Sequence, residues 1–441
     1  MNGHRTSRRA RRRTLASAAA TGLLSIAAPA AVPAASAAAA PPAVEGQLLV
    51  GFERGVSKTR QAQLLDAAGA RIARRYDAVR GGRLVLVRAL GGAAVSAIRS
   101  RLSRAGGVAY AEPDYVVAAT QTRTPDDPLY PRQYALVDSP AGHDVDAPTA
   151  WARRTSCARV AILDTGIDTD HPDLAANVYK SADKPDNGKD DDHNGYVDDT
   201  YGYDAAAGKG SGEDDDGHGT HVAGIVAART DDALGVAGTC WSAKLLAVKF
   251  MNSRGKGSTS NAIAGIQYAV RQGVKIVNCS FGSSANSSSL KDAIGYAQDH
   301  GVLLVVAAGN DGEDIDRQPS YPASYANSNI LTVAATDDED RLASFSDYGT
   351  TAVDVAAPGD DILSTYLGGG YKTLSGTSMA APYAAGVAAL LRKQEPDASY
   401  GDLRYAIRAH ADAVPALSGK VASGGRLNAA KALAAIPALV D

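Results

Sequence analysis

Most of this 441-residue chain is predicted to be α/β, with a mainly parallel sheet doubly covered by helices. A small α+β unit of ferredoxin-like order precedes it. Three observations predict this. Beyond residue 128, short apolar runs rich in branched residues alternate with helical stretches, the pattern of strands buried on both faces. Between residues 45 and 118 the order is strand, helix, strand, strand, helix, strand. Glycine, at 45 residues, suits many tight turns over a scaffold better than it suits a helix bundle.

In the smaller unit, residues 47–52 alternate like a strand and 59–68 have helical spacing. Residues 71–76 and 83–87 read as two further strands, 93–102 as a second helix and 108–117 as the last strand. In the larger unit, 128–435, strands are expected at 160–163, 245–250, 275–279 and 302–307. Helices are expected at 221–228, 261–272, 290–300 and 380–392. Residues 119–127, polar and carrying Pro125, read as an exposed linker where processing would occur.

Residues 1–37 have the order of an export signal. Arg5, Arg8, Arg9, Arg11, Arg12 and Arg13 make a positive start, Leu23, Leu24 and Ile26 lie in an apolar middle, and Ala35-Ser36-Ala37 offers a cleavage site. The product is therefore expected to be secreted. No later run of about 20 apolar residues predicts a membrane anchor. The formal charge is −3, and the first 40 residues contribute six arginines and no acid, so the rest is more acidic still. An acidic surface argues against a nucleic-acid partner. Cys157, Cys240 and Cys279 are odd in number; export permits one bridge, while three reduced core cysteines are the alternative.

Chemistry is concentrated in three segments. Val160-Ala-Ile-Leu-Asp164-Thr-Gly166 carries a carboxylate where a buried strand opens into a turn. Asp216-Gly-His218-Gly-Thr-His221-Val-Ala-Gly224 has a histidine at a glycine-flanked helix start, and Gly376-Thr-Ser378-Met-Ala-Ala-Pro382 a serine at another. Amide hydrolysis needs a nucleophile, a base for its proton and an acid to orient that base. A serine at a helix N-terminus also has unpaired N–H groups beside a developing oxyanion. A second Asp-Thr-Gly, expected of an aspartic protease, is missing, as is the His-Glu-x-x-His of a zinc protease. The Gly-x-Ser-x-Gly elbow of ester hydrolases does not frame Ser378. A non-catalytic binding protein would need none of the three segments.

Together, in the order Asp, His, Ser, these segments resemble the subtilisin-like serine proteases, or subtilases, from about Asp127 to about Leu433. That resemblance implies a subtilisin-like fold and a serine endopeptidase acting on protein or peptide substrates through an acyl-enzyme. Asp164 would orient His218, the general acid/base, and Ser378 would be the nucleophile, with His221 packed against the fold. Ala307-Ala-Gly309-Asn310 resembles the family's oxyanion segment, which makes Asn310 the side-chain donor. Ser280-Phe281-Gly282 and Gly255-Lys-Gly257 resemble the two edges that pair with an extended substrate. The N-terminal unit resembles a pro-domain, a folding aid and intramolecular inhibitor, and the active form is expected to be a monomer.

Asp190-Asp-Asp192-His-Asn194-Gly195 has oxygen ligands at positions 1, 3 and 5 and glycine at 6, like the opening of a calcium loop. Position 12 is Tyr201 rather than glutamate. Some subtilases bind calcium at a similar insert, so Asp190, Asp192, Asn194, Asp198 and Asp199 are candidate Ca2+ ligands; a solvated acidic loop is the alternative. A second calcium site joining Asp173 to Asp231 and Asp232 would follow the family pattern, although this loop differs in length. The acidic run 213–216 reads as solvated surface. The family topology makes the strands after Cys157 and Cys240 neighbours, which implies that these two pair and Cys279 stays free.

Overall fold

A computed structural model describes residues 43–90, 94–115, 122–137 and 142–440; the export-signal reading falls outside them. The chain divides into two units, one ending at Ala119 and one beginning at Thr120.

The first unit contains β1 (Ala43–Phe52), α1 (Lys58–Ala68), β2 (Ala70–Tyr76), β3 (Leu84–Ala89), α2 (Val95–Leu102) and β4 (Val108–Tyr115). Its antiparallel sheet has the order β2-β3-β1-β4, which is the ferredoxin-like arrangement. Alternation puts Leu48, Val50 and Phe52 of β1 on the face that meets Leu64, Leu65, Ile98 and Leu102 of the helices. Ser57 caps α1 by accepting from the Arg60 N–H.

The second unit begins with α3 (Ala147–Trp151), β5 (Val160–Asp164), β6 (Tyr203–Asp204), β7 (Lys209–Gly210), α4 (His218–Ala227) and β8 (Leu245–Lys249). It continues with α5 (Thr259–Arg271), β9 (Ile276–Cys279), α6 (Ser288–Asp299), β10 (Leu303–Ala307), β11 (Ile330–Thr336) and β12 (Val355–Pro358). A hairpin of β13 (Ile362–Tyr366) and β14 (Gly370–Leu374) leads into α7 (Thr377–Gln394), α8 (Tyr400–Ala409), β15 (Asp412–Ala413), β16 (Gly425–Arg426) and α9 (Ala429–Ala435).

Ten strands form one sheet in the order β15-β16-β12-β11-β10-β9-β5-β8-β6-β7. Pairing is parallel from β6 to β16, with antiparallel partners only at the two ends. Both faces are covered, and β5 shows why: all five of its residues are buried. Val160 and Ile162 enter the core shared with α4 and α7, while Ala161 and Leu163 enter the core shared with α5 and α6. Each of these side chains contributes about 1.5–3 kcal/mol by leaving water if large, less for alanine. The chain leaves β5 for β8 on one side and later for β9 on the other. That reversal opens a crevice beyond the carboxyl ends of the strands.

Several sequence expectations are corrected here. The helix expected at 221–228 begins three residues earlier, at His218, because Gly217 caps it. The helix expected at 380–392 begins at Thr377. Ile330–Thr336 and Val355–Pro358 extend the sheet beyond the strands read from the sequence. The described part of the expected linker is not exposed throughout. Pro125 and Asp127 are buried, and residues 123–127 bond to the rest of the second unit: the Asp126 and Asp127 carboxylates accept from the Ala233 and Asp231 N–H groups. Among the described residues no helix is long and apolar enough to cross a membrane.

Candidate active site

Asp164 ends β5 fully buried, and its Oδ1 lies 2.7 Å from Nδ1 of His218, the first residue of α4. The same oxygen accepts from the Thr165 N–H at 2.7 Å, which holds the carboxylate in plane. Thr165 Oγ1 then accepts from the Gly219 N–H, so the Asp-Thr-Gly turn fastens the start of α4. Residue 219 must be glycine for this approach, because a Cβ there would lie 2.1 Å from the Gly166 carbonyl. Burial of the imidazole works against its charged form. The charge and hydrogen bond of Asp164, with Asp216 and Asp214 beyond, outweigh that effect and hold the His218 pKa above the ordinary value. His221 is different: burial, with smaller effects from neighbouring cations, pushes it down to about 4. Its Nε2 donates to the Ile362 and Lys372 carbonyls, and it stays neutral inside the fold.

Lys249 anchors the far side of the same turn. It pairs with Asp164 in the strand register, is 7% exposed, and donates to the Thr165 and Met251 carbonyls and to Asp215. The run 213–216 is therefore not simply solvated surface. Asp214 accepts from the N–H groups of Asp216, Gly217 and Thr220 and from the Thr220 hydroxyl, satisfying donors left open at the start of α4. Glu213 accepts from Thr169.

Ser378 is the second residue of α7, where backbone N–H groups have no intrahelical acceptor. Four residues on, Pro382 has no N–H to give to the Ser378 carbonyl. The Ser280 hydroxyl donates to that carbonyl instead, at 2.9 Å. The Ser378 hydroxyl itself donates to the Ser280 carbonyl at 3.2 Å. Asn310 follows β10, and its Oδ1 accepts from the Thr377 N–H at 2.8 Å and the Thr377 hydroxyl at 2.9 Å. Because a backbone N–H can only donate, the oxygen of that amide is identified and Nδ2 is left to face the cleft. Thr377, inside the Gly-Thr-Ser motif, was missed as a functional residue, although its place beside Ser378 was a usable signal.

His218, Ser378, Asn310, Ser280, Phe281, Gly282, Gly255 and Gly257 all line one cleft of about 700 Å³. One wall is the 251–257 loop, closed by a bridge between Met251 and Gly257, and the other follows β9. Phe281 packs edge-on against Phe250 with ring centres 4.7 Å apart, tying the floor between the walls.

The acidic loop is arranged differently from the expected ligand set. Asp183, Asp192 and Asp199 bring carboxylate oxygens within 4.8 Å of one another, and Asp199 Oδ1 is buried without a donor. Asp183 was missed, since nothing in its local sequence marks it. Asn194 donates to Asp199, whereas Asp190 accepts from the Asn194 and Gly195 N–H groups and Asp198 turns to the Asn187 and Gly188 N–H groups. Burial raises the Asp199 pKa, opposed by the Tyr268 hydroxyl and assisted by the charge of Asp192. At the second cluster Asp173 faces Asp127, another residue the sequence reading passed over. Each has a buried oxygen without a donor, and burial pushes Asp127 up to about 6. Asp231 is engaged by Arg123 and Asp232 by Arg229. Hard oxygen donors crowded without enough protons or cations suit a divalent ion such as calcium.

Cys157 and Cys240 are bonded, with Cα atoms 6.0 Å apart, where the parallel neighbours β5 and β8 begin. Cys279 is buried, and burial pushes its thiol pKa up, which leaves it unreactive. Denatured, unreduced protein is expected to titrate one thiol; three would refute the bridge. Closing 83 residues, the bond is expected to contribute about 2–5 kcal/mol, measurable as lost stability in a double Cys→Ala variant.

Residues 156–428 match the model of the subtilase family, and residues 29–114 match that of the fervidolysin N-terminal prodomain. The chain is 41% identical to thermitase of Thermoactinomyces vulgaris over 312 residues, covering 70% of this chain and 99% of that one. It is 36% identical to a thermophilic serine proteinase of Bacillus sp. strain AK1 over 391 residues, 88% of each chain. A solved protease of Pseudoalteromonas arctica superposes with a TM-score of 0.61 at 30% identity, covering 71% of this chain and all of that one.

Proposed function

Because the chain belongs to the subtilase family of serine proteases, we propose that it is a secreted endopeptidase, made as a pro-enzyme and matured by removal of its N-terminal unit. The single observation that carries this reading is the Asp164–His218 hydrogen bond, at 2.7 Å, opening onto a cleft shared with Ser378 and Asn310. The Ser378 hydroxyl turns about its Cα–Cβ bond from the Ser280 carbonyl to His218 Nε2 and gives up its proton as Oγ attacks the substrate carbonyl. The oxyanion is held by the Ser378 N–H and Asn310 Nδ2. His218 then protonates the leaving amine, and water releases the acyl group by the same steps in reverse. Asp164 holds the imidazole with Nδ1–H toward itself and stabilises the imidazolium. Since the base must be neutral, the raised His218 pKa moves the acid limb of the activity profile upward.

The N-terminal unit is read as the folding aid and inhibitor because it matches a subtilase prodomain and has the compact ferredoxin-like sheet. Calcium is the cation we assign to Asp183, Asp192 and Asp199, with Asn194 in support, and to Asp127 and Asp173. Bound there, it would neutralise clustered carboxylates, of which Asp199, Asp127 and Asp173 each keep one buried oxygen without a donor.

The full chain is expected to digest casein and to be silenced by a covalent serine reagent attached at Ser378. An intact substrate, or label on another residue, would remove the assignment. Asn310→Leu is expected to lower kcat by about 10²–10³-fold with little change in KM, because its amide acts on charge that exists only in the transition state. A variant that kept full kcat would exclude Asn310 as an oxyanion donor.

A further inference from the structure

Beside the catalytic cleft lies a second recess of about 450 Å³, which shares Gly282, Ser283 and Asn310 with it. Its remaining walls include Gly309, Pro319 and three carboxylates, Asp311, Glu313 and Asp347, and no lysine or arginine lines it. Asp311 and Glu313 are exposed at the mouth. Asp347 is only 1% exposed, at the base.

The two oxygens of Asp347 do different things. Oδ1 accepts from the Asp311 and Glu313 N–H groups, both at 2.9 Å, and so shapes the loop that follows Asn310. Oδ2 takes no hydrogen bond among the described residues, although the side chain is buried and lines the recess. It lies behind Gly309, where a Cβ would come within 2.0 Å of it. Glycine at 309, with φ at +125°, leaves this oxygen open to the space beside Asn310. A carboxylate oxygen that opens into a recess lined by further carboxylates and no cation suits a cationic hydrogen-bond donor.

We infer that this recess receives a lysine or arginine side chain from the residue on the acyl side of the scissile bond, with Asp347 as the residue that selects it. The inference rests on the proteolytic reading above. If the substrate carbonyl carbon meets Ser378 Oγ and its oxygen points to Asn310 Nδ2, the acyl-side α-carbon is one bond from that carbonyl. Its side chain then enters the recess that adjoins Asn310. The aliphatic stem passes Gly282, Gly309 and Pro319, and the charged head meets Asp347 with Asp311 and Glu313 near the entrance. The leaving-group side lies toward His218 and does not use this space.

The test uses the matured full chain and a set of fluorogenic peptides that differ only at the acyl-side residue: lysine, arginine, norleucine, phenylalanine and glutamate. Lysine and arginine are expected to exceed norleucine in kcat/KM by about 10–100-fold, the worth of a hydrogen bond to a charged group. Norleucine has the same stem without the charge, so this comparison in the wild type decides the matter even if a variant fails to fold. Asp347→Asn keeps an oxygen for the two loop N–H groups and removes the charge. It is expected to erase the preference, bringing the lysine and arginine peptides down to the level of norleucine. Equal rates for lysine and norleucine would overturn the inference, and so would an Asp347→Asn variant slowed equally on every peptide. Casein digestion without a basic preference sinks this inference alone, whereas failure to cut casein or any peptide sinks the proteolytic reading with it.

Discussion

Ser378→Ala is expected to abolish casein cleavage and, in the same molecule, removal of the residues ahead of the catalytic unit. The substitution deletes one oxygen at the second position of α7 and leaves the helix, the Asn310–Thr377 bonds and the cleft walls in place. What is lost is the atom that attacks. Without it, Asp164 and His218 hold a base that has no nucleophile to activate, and the loss should approach about 10⁶-fold, the scale found for subtilisin. A residual rate of about 10³–10⁴ over water would remain from the oxyanion donors and substrate binding. Mass measurement of the purified variant should give the chain with its N-terminal unit still attached, and adding a trace of wild type should convert it. A variant that matures in isolation and digests casein would show that another group does the chemistry.

Chelation of calcium is expected to lower the thermal midpoint by about 6 °C per ion, best measured in the Ser378→Ala background so that self-digestion does not intrude. The estimate takes about 4 kcal/mol for an ion at a thousandfold excess over its dissociation constant. It divides that figure by the unfolding entropy of a domain of this size, about 2 cal/mol/K per residue. The physical basis is the gathering of Asp183, Asp192 and Asp199, whose oxygens lie within 4.8 Å of one another with Asp199 Oδ1 buried and undonated. Like charges this close repel, and burial adds to the cost of keeping them ionised. A cation held only by the folded state reverses both effects. Asp199→Asn should remove part of the calcium-dependent rise, and Asp127→Asn should remove a separate part. An identical midpoint with chelator and with calcium would dismiss both sites.

The sequence could reveal what depends on a few neighbouring residues. The run from Val160 to Asp164, buried at every position, announces a strand covered on both faces, and the turn after it needs Gly166. The glycine-flanked His218 and Ser378 mark helix starts by themselves, although the apolar periodicity misjudged where α4 and α7 begin. Helix starts are set by capping donors and acceptors, such as Asp214 and Gly217, that a hydrophobic pattern does not register.

Tertiary structure decided everything that joins distant parts of the chain. Asp183 meets Asp199 across 16 residues, Asp127 reaches the Asp231 N–H across 104, and Ser280 supports the Ser378 carbonyl across 98. Asp183 and Asp127 have no local mark, and none of the three pairings has one, because each contact depends on strand register and on where a loop returns to the sheet. The acidic loop illustrates the difference: its alternating carboxylates were visible, but Asp190 and Asp198 turn to other backbone N–H groups of the loop, while Asp183, bonded to the Asp192 and Asp199 N–H groups, joins the cluster. Likewise the sequence by itself determined the kind of bond this protein is built to break, through residue types that sit beside one another in three short segments. Asp347 shows what it could not determine: an ordinary aspartate in sequence becomes the base of a recess only because the fold carries it behind Gly309 and leaves one oxygen without a donor.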